Sequence, residues 1–232
     1  MSVETSQASC WTQYGTSRFH EHEEKMEQNT RLTLRNLFYG ISDNEADWFA
    51  RLPELETPRL LLRKIRPRDA EDLFEWSSDE QVARYVLWDA HQRISETRAY
   101  IRAIRSAYRH GLPSSWAIVL KSRRKVIGTI GFMWFSRENR SAEVGYSLSR
   151  EYWNQGLMTE ALTRVLQAAF EDLRLNRVEA QYDVRNPASG RVMEKCGMRH
   201  EGIFRNRILN KGEYVDVAVC SMIASDLPKS GR

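Results

Sequence analysis

The sequence holds only three cysteines, Cys10, Cys196 and Cys220, at wide and unpatterned spacing. An odd, scattered set provides neither a disulfide framework nor the spacing of a zinc site, so three free thiols are expected. Six prolines and 12 glycines in 232 residues are too few for a collagen-like, linker-like or low-complexity chain. Long apolar runs are also missing. Stretches such as 116–120 and 126–135 fall well short of the ~20 residues that a membrane-spanning helix needs. The start Met-Ser-Val-Glu-Thr-Ser has no basic stretch followed by an apolar segment, so no secretory leader is expected and the cytoplasm is the expected location. Neither charge sign dominates. Lys and Arg number 35 and Asp and Glu 31, leaving a formal +4 with bases and acids interspersed. This balance favours solubility and a weak pull toward anions, and it makes nucleic acid the least favoured partner, scattered bases such as Arg137, Arg140, Arg205, Arg207 and Lys211 reading as a solvated face.

What is present describes a globular protein with one core. Hydrophobic residues make up 41% of the chain, aromatics 10% and charged residues 28%. The first 55 residues read as an N-terminal extension, with a polar, aperiodic start. Its His20 and His22 beside Glu21, Glu23 and Glu24 read as solvated rather than metal-binding, and no metal is expected in the protein. Segments 31–39 and 45–52 have the spacing of short helices. Residues 56–226 form the expected domain, followed by a short tail at 227–232.

From Glu56 onward, strand and helix signals alternate. Strands are predicted at 59–63, 115–120, 125–134, 141–148, 177–184, 198–205 and 214–224. Helices are predicted after Asp69, from Ser95 to about Tyr108, from Gln155 to about Leu173, where Met158, Leu162, Val165 and Ala169 share a face, and from Pro187 to Cys196. The fold class is α+β, layered α/β/α: a mixed, mostly antiparallel twisted sheet of about seven strands flanked by about four helices.

Two helix starts carry the chemistry. In the first, a strand passes through Tyr152-Trp153-Asn154-Gln155-Gly156 into a long helix, whose N-terminus presents unpaired N–H groups and partial positive charge. That geometry attracts phosphate. Gly156 permits close backbone approach, Asn154 and Gln155 add donors, and Thr159 offers a hydroxyl. The second start is Asn186-Pro187-Ala188-Ser189, where Asn186 is a good N-cap, Pro187 suits the first helical position and Ser189 needs no structural role. Both starts follow strands and face one end of the sheet.

Taken together, these motifs resemble the GNAT superfamily of N-acetyltransferases, and within it the RimJ/RimL branch that acetylates protein N-termini and small amines. The resemblance runs from Glu56 to about Ile223. It is carried by Thr57-Pro58-Arg59-Leu60-Leu61-Leu62-Arg63, by Ala142-Glu143-Val144-Gly145-Tyr146, by the stretch from Tyr152 through Gly156-Leu157-Met158-Thr159-Glu160-Ala161, and by Asn186-Pro187-Ala188-Ser189. Further markers are Glu194-Lys195-Cys196-Gly197-Met198 and Gly212-Glu213-Tyr214-Val215-Asp216. Asn154 and Met158 depart from the small or arginine residues usual at those positions. The resemblance implies acetyl-CoA as co-substrate, its pyrophosphate over Asn154, Gln155, Gly156, Leu157, Met158 and Thr159. Its pantetheine arm would pair with the backbone of Tyr146, Ser147 and Leu148 and be held by Asn186.

Transfer to an amine needs a base, because an ammonium has no lone pair, and a donor for the departing sulfur. Glu143 is the candidate base, with a structural carboxylate paired to an arginine as the alternative. Ser189 is the candidate donor, with a plain helix-start role as the alternative. Cys196 reads as a small buried hydrophobe rather than a nucleophile. Among Trp76, Trp88, Trp116 and Trp134, Trp88 and Trp134 are the candidate substrate contacts. The expected activity is acetyl transfer to a primary amine, of a protein N-terminus such as that of a ribosomal protein or of a small molecule such as an antibiotic or polyamine, by direct attack in a ternary complex. A non-catalytic acyl-CoA-binding protein is the competing class, and a homodimer is left open.

Overall fold

The structure, a computed structural model, describes residues 41–227. The expected helix at 31–39, His20, His22, Cys10 and the tail from 228 lie outside the described residues. Helix α1 (Asp43–Arg51) begins with a capping box: the Ser42 backbone N–H donates to Glu45 Oε2 at 2.7 Å, and the Glu45 N–H donates back to Ser42 Oγ at 3.4 Å. Strands β1 (Leu55–Glu56) and β2 (Leu60–Lys64) follow, then helices α2 (Ala70–Ser77), the one-turn α3 (Glu80–Ala83) and α4 (Ile94–His110). Strands β3 (Ser115–Leu120), β4 (Lys125–Ser136) and β5 (Ser141–Leu148) form a meander. The second half is α5 (Leu157–Glu171), β6 (Arg177–Asp183), α6 (Pro187–Lys195), β7 (Arg199–Asn210) and β8 (Glu213–Ile223).

All eight described strands form one sheet in the order β1-β2-β3-β4-β5-β6-β8-β7, antiparallel everywhere except between β5 and β6. The mixed, mostly antiparallel α+β class expected from the sequence is therefore the observed one. The additional strand is β1, too short to show a period. Two other strands run longer than their alternation predicts because each contains an irregularity. In β4, Phe132 pairs with Val144 and Trp134 with Glu143, so Met133 is an extra residue. This bulge changes the strand's phase and carries Trp134 to the face of Glu143, opposite Phe132. In β7, Phe204 pairs with Val217 and Ile208 with Val215, so residues 205–207 lie against Asp216 alone, whose Oδ1 accepts from the Asn206 N–H at 2.8 Å.

The packed core begins upstream of position 56, where the sequence places the start of the domain. Ile41, Ala46, Phe49 and Leu52 are all buried within it. The Phe49 ring lies edge-on to Phe135 at 5.3 Å and to Phe132 at 6.1 Å, and Trp48 meets Trp116 at 5.8 Å. The physical reason is that the apolar residues of this sheet face need a cover, and α1 supplies it. Trp116, a candidate for the cleft wall, is fully buried here and donates its indole N–H to the Pro53 carbonyl at 2.8 Å. Trp76 is likewise buried. Because Phe49 is fully buried among other rings, Phe49→Ala is expected to destabilise the protein by about 3–5 kcal/mol, measured by denaturant unfolding. A loss below about 1 kcal/mol would show that α1 is peripheral.

Candidate active site

The parallel pair β5–β6 is registered at only three positions: Ser141 with Arg177, Ala142 with Val178, and Glu143 with Glu179. Beyond them β5 continues to Leu148 and β6 to Asp183 without pairing to each other. Antiparallel ladders engage a strand's backbone groups alternately on its two sides, so β4 satisfies half of those from Val144 to Leu148 and the others face the opening. Tyr146, Ser147 and Leu148 thus lie along one wall of a wedge-shaped gap. The Leu148 carbonyl is already engaged, accepting from the Trp153 indole at 2.8 Å.

At the wide end of the wedge, the chain turns into α5. Asn154 and Gly156 both adopt left-handed backbone, with φ of 59° and 73°. Glycine holds that conformation without strain, and asparagine tolerates it better than most residues, which explains how Asn154 serves here. Gly156 is the N-cap of α5 and makes no side-chain cap, so the first-turn N–H groups of Leu157, Met158 and Thr159 lack a capping side chain. The loop is braced from β2's start. Arg59 donates through Nη1 to the Gln155 carbonyl at 2.9 Å and through Nε to Glu160 Oε2 at 2.6 Å, while Thr57 Oγ1 donates to Glu160 Oε1 at 2.5 Å. Burial pushes the Glu160 carboxyl up, but the hydrogen bonds from Thr57 and Arg59 outweigh it and hold the group ionised. Arg59 and Thr57 were markers in the sequence; their bracing role follows only from the fold.

The second helix start lies across the wedge. Asn186 occupies the N-cap position of α6, yet its side chain makes no capping bond, leaving its amide for another partner. Ser189 Oγ donates to the Tyr146 hydroxyl at 3.0 Å, and that hydroxyl donates to the Ser189 carbonyl at 3.0 Å. Burial holds the Tyr146 phenol well above its usual range, so it stays protonated. Gly190 lets α6 approach β6 closely: a Cβ there would lie 2.6 Å from the Tyr182 hydroxyl. The sequence singled out Tyr146 for its backbone alone, and its side chain's partnership with Ser189 spans 43 residues.

Glu143 lies at the closed end of the wedge. Its Oε1 accepts from Gln181 Nε2 at 2.9 Å. Burial raises its pKa above the ordinary carboxylate range, the Gln181 bond and the Arg207 charge oppose that, and Glu179 reinforces it. No ion pair between Glu143 and an arginine is present among the described residues, the Arg207 charge acting on it at longer range. Gln181 was not foreseen; its signal is the i+2 spacing from Glu179 on β6, readable once the parallel register is known. Half-buried Trp134 sits opposite Glu143 on β4. Trp88 is elsewhere, in the segment between α3 and α4, its ring against Trp76 at 6.2 Å and His91 at 5.7 Å. That segment is tied to the β7–β8 hairpin, where Lys211 donates to the Ala83 carbonyl at 2.5 Å and lies 4.0 Å from Asp89.

Cys196 and Cys220 are free thiols. Cys196 donates to the Thr159 carbonyl at 3.4 Å, and burial raises its pKa, which disfavours a thiolate. No group of three or more metal-ligating side chains occurs among the described residues, and no described helix is long and apolar enough to cross a membrane.

The splayed parallel pair and the loop-to-helix cradle are features of a known class. Residues 59–199 match the family model described as an acetyltransferase (GNAT) domain, and the chain belongs to that family. It is 33% identical to an uncharacterized N-acetyltransferase, p20, of Bacillus licheniformis, over 73% of this chain and 95% of that one. It is 24% identical to the [ribosomal protein uS5]-alanine N-acetyltransferase of Escherichia coli, over 74% of this chain and 91% of that one. A crystal structure of a GNAT-family acetyltransferase from Bacillus anthracis superposes with a TM-score of 0.68 at 27% identity, covering 75% of this chain and 99% of the other. The RimJ/RimL-like resemblance, the transferase class and the N-acetyltransferase activity expected from the sequence agree with these findings.

Removing the Tyr146 hydroxyl frees Ser189 Oγ from its anchor. Tyr146→Phe is expected to lower kcat about tenfold, with Ser189→Ala similar and the double variant little worse than either, since the two hydroxyls act as one unit. Strictly additive losses in steady-state kinetics would show that they act separately.

Proposed function

We propose that this protein transfers the acetyl group of acetyl-CoA to a primary amine by direct attack, with the β5–β6 wedge as the site of transfer. The observation that carries this reading is the combination of a half-buried carboxylate at the closed end of the wedge with a cradle of N–H donors at its open end. The cradle suits a pyrophosphate: two left-handed residues turn the loop around the uncapped helix start, whose N–H groups present positive potential. Acetyl-CoA would supply an activated thioester. Asn154, Gln155, Gly156, Leu157, Met158 and Thr159 hold its phosphates, and Tyr146, Ser147, Leu148 and Asn186 hold its pantetheine arm.

Glu143, its basicity increased by burial, takes the proton from the acceptor ammonium directly or through a water, leaving a lone pair for attack. The new bond is N–C, the broken one C–S, and the electron pair leaves on sulfur. Ser189 Oγ, turning from Tyr146, donates a hydrogen bond to that sulfur, and the proton released by the amine neutralises the thiolate. No acyl-enzyme is needed, consistent with a protonated Cys196.

For the acceptor, a peptide N-terminus is the favoured substrate. It is supported by the uS5-alanine acetyltransferase among the relatives and by the aromatic face of Trp134 beside Glu143. A cytoplasmic location belongs to the same reading. CoA release measured with acetyl-CoA against Ala-initiated peptides, polyamines and aminoglycosides tests it: turnover is expected with the peptides, and CoA binding with no amine acetylated would point to the non-catalytic class.

The pH dependence has a defined sign. Glu143 acts deprotonated and its pKa is raised, so kcat/KM should fall as pH drops through an apparent pKa above the ordinary ~4.3 of glutamate. Glu143→Gln should remove most of the activity and that acid limb together. A pH profile unchanged in this variant would relocate the base.

A further inference from the structure

A second cleft lies outside this site. It encloses about 370 Å³ between the end of α1, the end of β2 and the last turns of α4. Four cationic side chains, Arg51, Lys64, Arg66 and Arg105, line it against one carboxylate, Glu54. Each cation is either weakly engaged or unpaired. Arg66 is 3.6 Å from Glu54, both being well exposed, and Arg51 Nε donates to its own helix at the Asp47 carbonyl at 3.3 Å. Lys64 Nζ donates to the Ala50 carbonyl at 2.5 Å and lies 5.3 Å from the centre of the Tyr108 ring. Arg105 has no hydrogen bond or ion pair among the described residues, and burial together with the Arg105 charge lowers the Lys64 pKa. Positive charge thus converges in a concave space with one carboxylate, Glu54, among the described residues that line it.

We propose that this cleft binds a phosphate-bearing small molecule at a site separate from the acetyl-transfer wedge. A phosphate monoester concentrates nearly two negative charges on one group, which suits cations converging from three elements, and guanidinium forks pair with phosphate oxygens in two-point contact. Leu52 and the Tyr108 ring give an apolar wall for the organic body, and the volume falls within the range of small-ligand pockets. The cleft is distinct from the CoA phosphate cradle. Lys64 lies five residues along β2 from Arg59, roughly 16 Å at the rise of a strand. Across the sheet Lys64 pairs with Trp116, Trp116 with Ile130 and Ile130 with Tyr146, placing the wedge three strands away, roughly 14 Å.

The test is calorimetric titration of inorganic pyrophosphate into the full chain at fixed ionic strength, with CoA saturating so that the cradle is filled. One binding event is expected. Arg105→Ala should weaken it about tenfold, as loss of a charge-assisted contact predicts, and Arg105→Glu should abolish it, with CoA affinity unchanged in both. Arg105 is exposed, so both variants should fold. Absence of binding, equal affinity in Arg105→Glu, or tighter binding of citrate than of pyrophosphate would overturn the proposal. Dependence on Arg105 is the criterion whether or not CoA binds, so failure of the acetyltransferase reading leaves this result interpretable.

Discussion

Strands β5 and β6 must lie side by side to close the sheet, and yet they pair for only three residues before separating. Parallel pairing is what permits this separation. The crossover through α5 brings the chain back in the same direction, so the two carboxyl ends diverge together and a helix start stands beside each. Every functional feature uses that divergence. Backbone groups that an unbroken ladder would consume stay available along β5. The two helix starts face each other, and a half-buried carboxylate stands at the last paired rung.

The wedge separates two electrostatic tasks by distance along a strand. Its open end is built from left-handed turns and the N–H groups of a helix start, which favour anions. Its apex carries Glu143 beside Glu179, with Arg207 opposing the rise in the Glu143 pKa and Arg177 ion-paired with Glu179 at 2.7 Å. In the function proposed above, one molecule meets donors at its phosphates and a carboxylate near its reactive end. The partly buried Tyr146 phenol, too weak an acid to ionise, is suited to holding a neighbouring hydroxyl in place.

Much of this was legible in the chain. The strands 115–120 and 141–148 have the bounds read from the sequence, and the Asn-Pro-Ala-Ser start and the Gly156 loop stand out as helix openings. What was hidden depended on register. The Met133 bulge moves Trp134 to the face of Glu143, and no period of two predicts an extra residue. The pairing of Glu143 with Gln181 needs the neighbouring strand's offset, and that of Tyr146 with Ser189 needs a helix docked from 43 residues away. Helix α1 was underrated because a nine-residue helix with modest apolar content gains its stability from packing, which local pattern does not reveal.

The brace on the phosphate cradle joins residues about a hundred positions apart: Thr57 and Arg59 on one side, Gln155 and Glu160 on the other. Closing so long a loop costs entropy that β2, β3 and β4 repay only once they have assembled. On a chain made from its N-terminus, Thr57 and Arg59 exist before the loop they hold. The loop is therefore braced late, once α5 has been made and docked, and a partly synthesised chain lacks this brace.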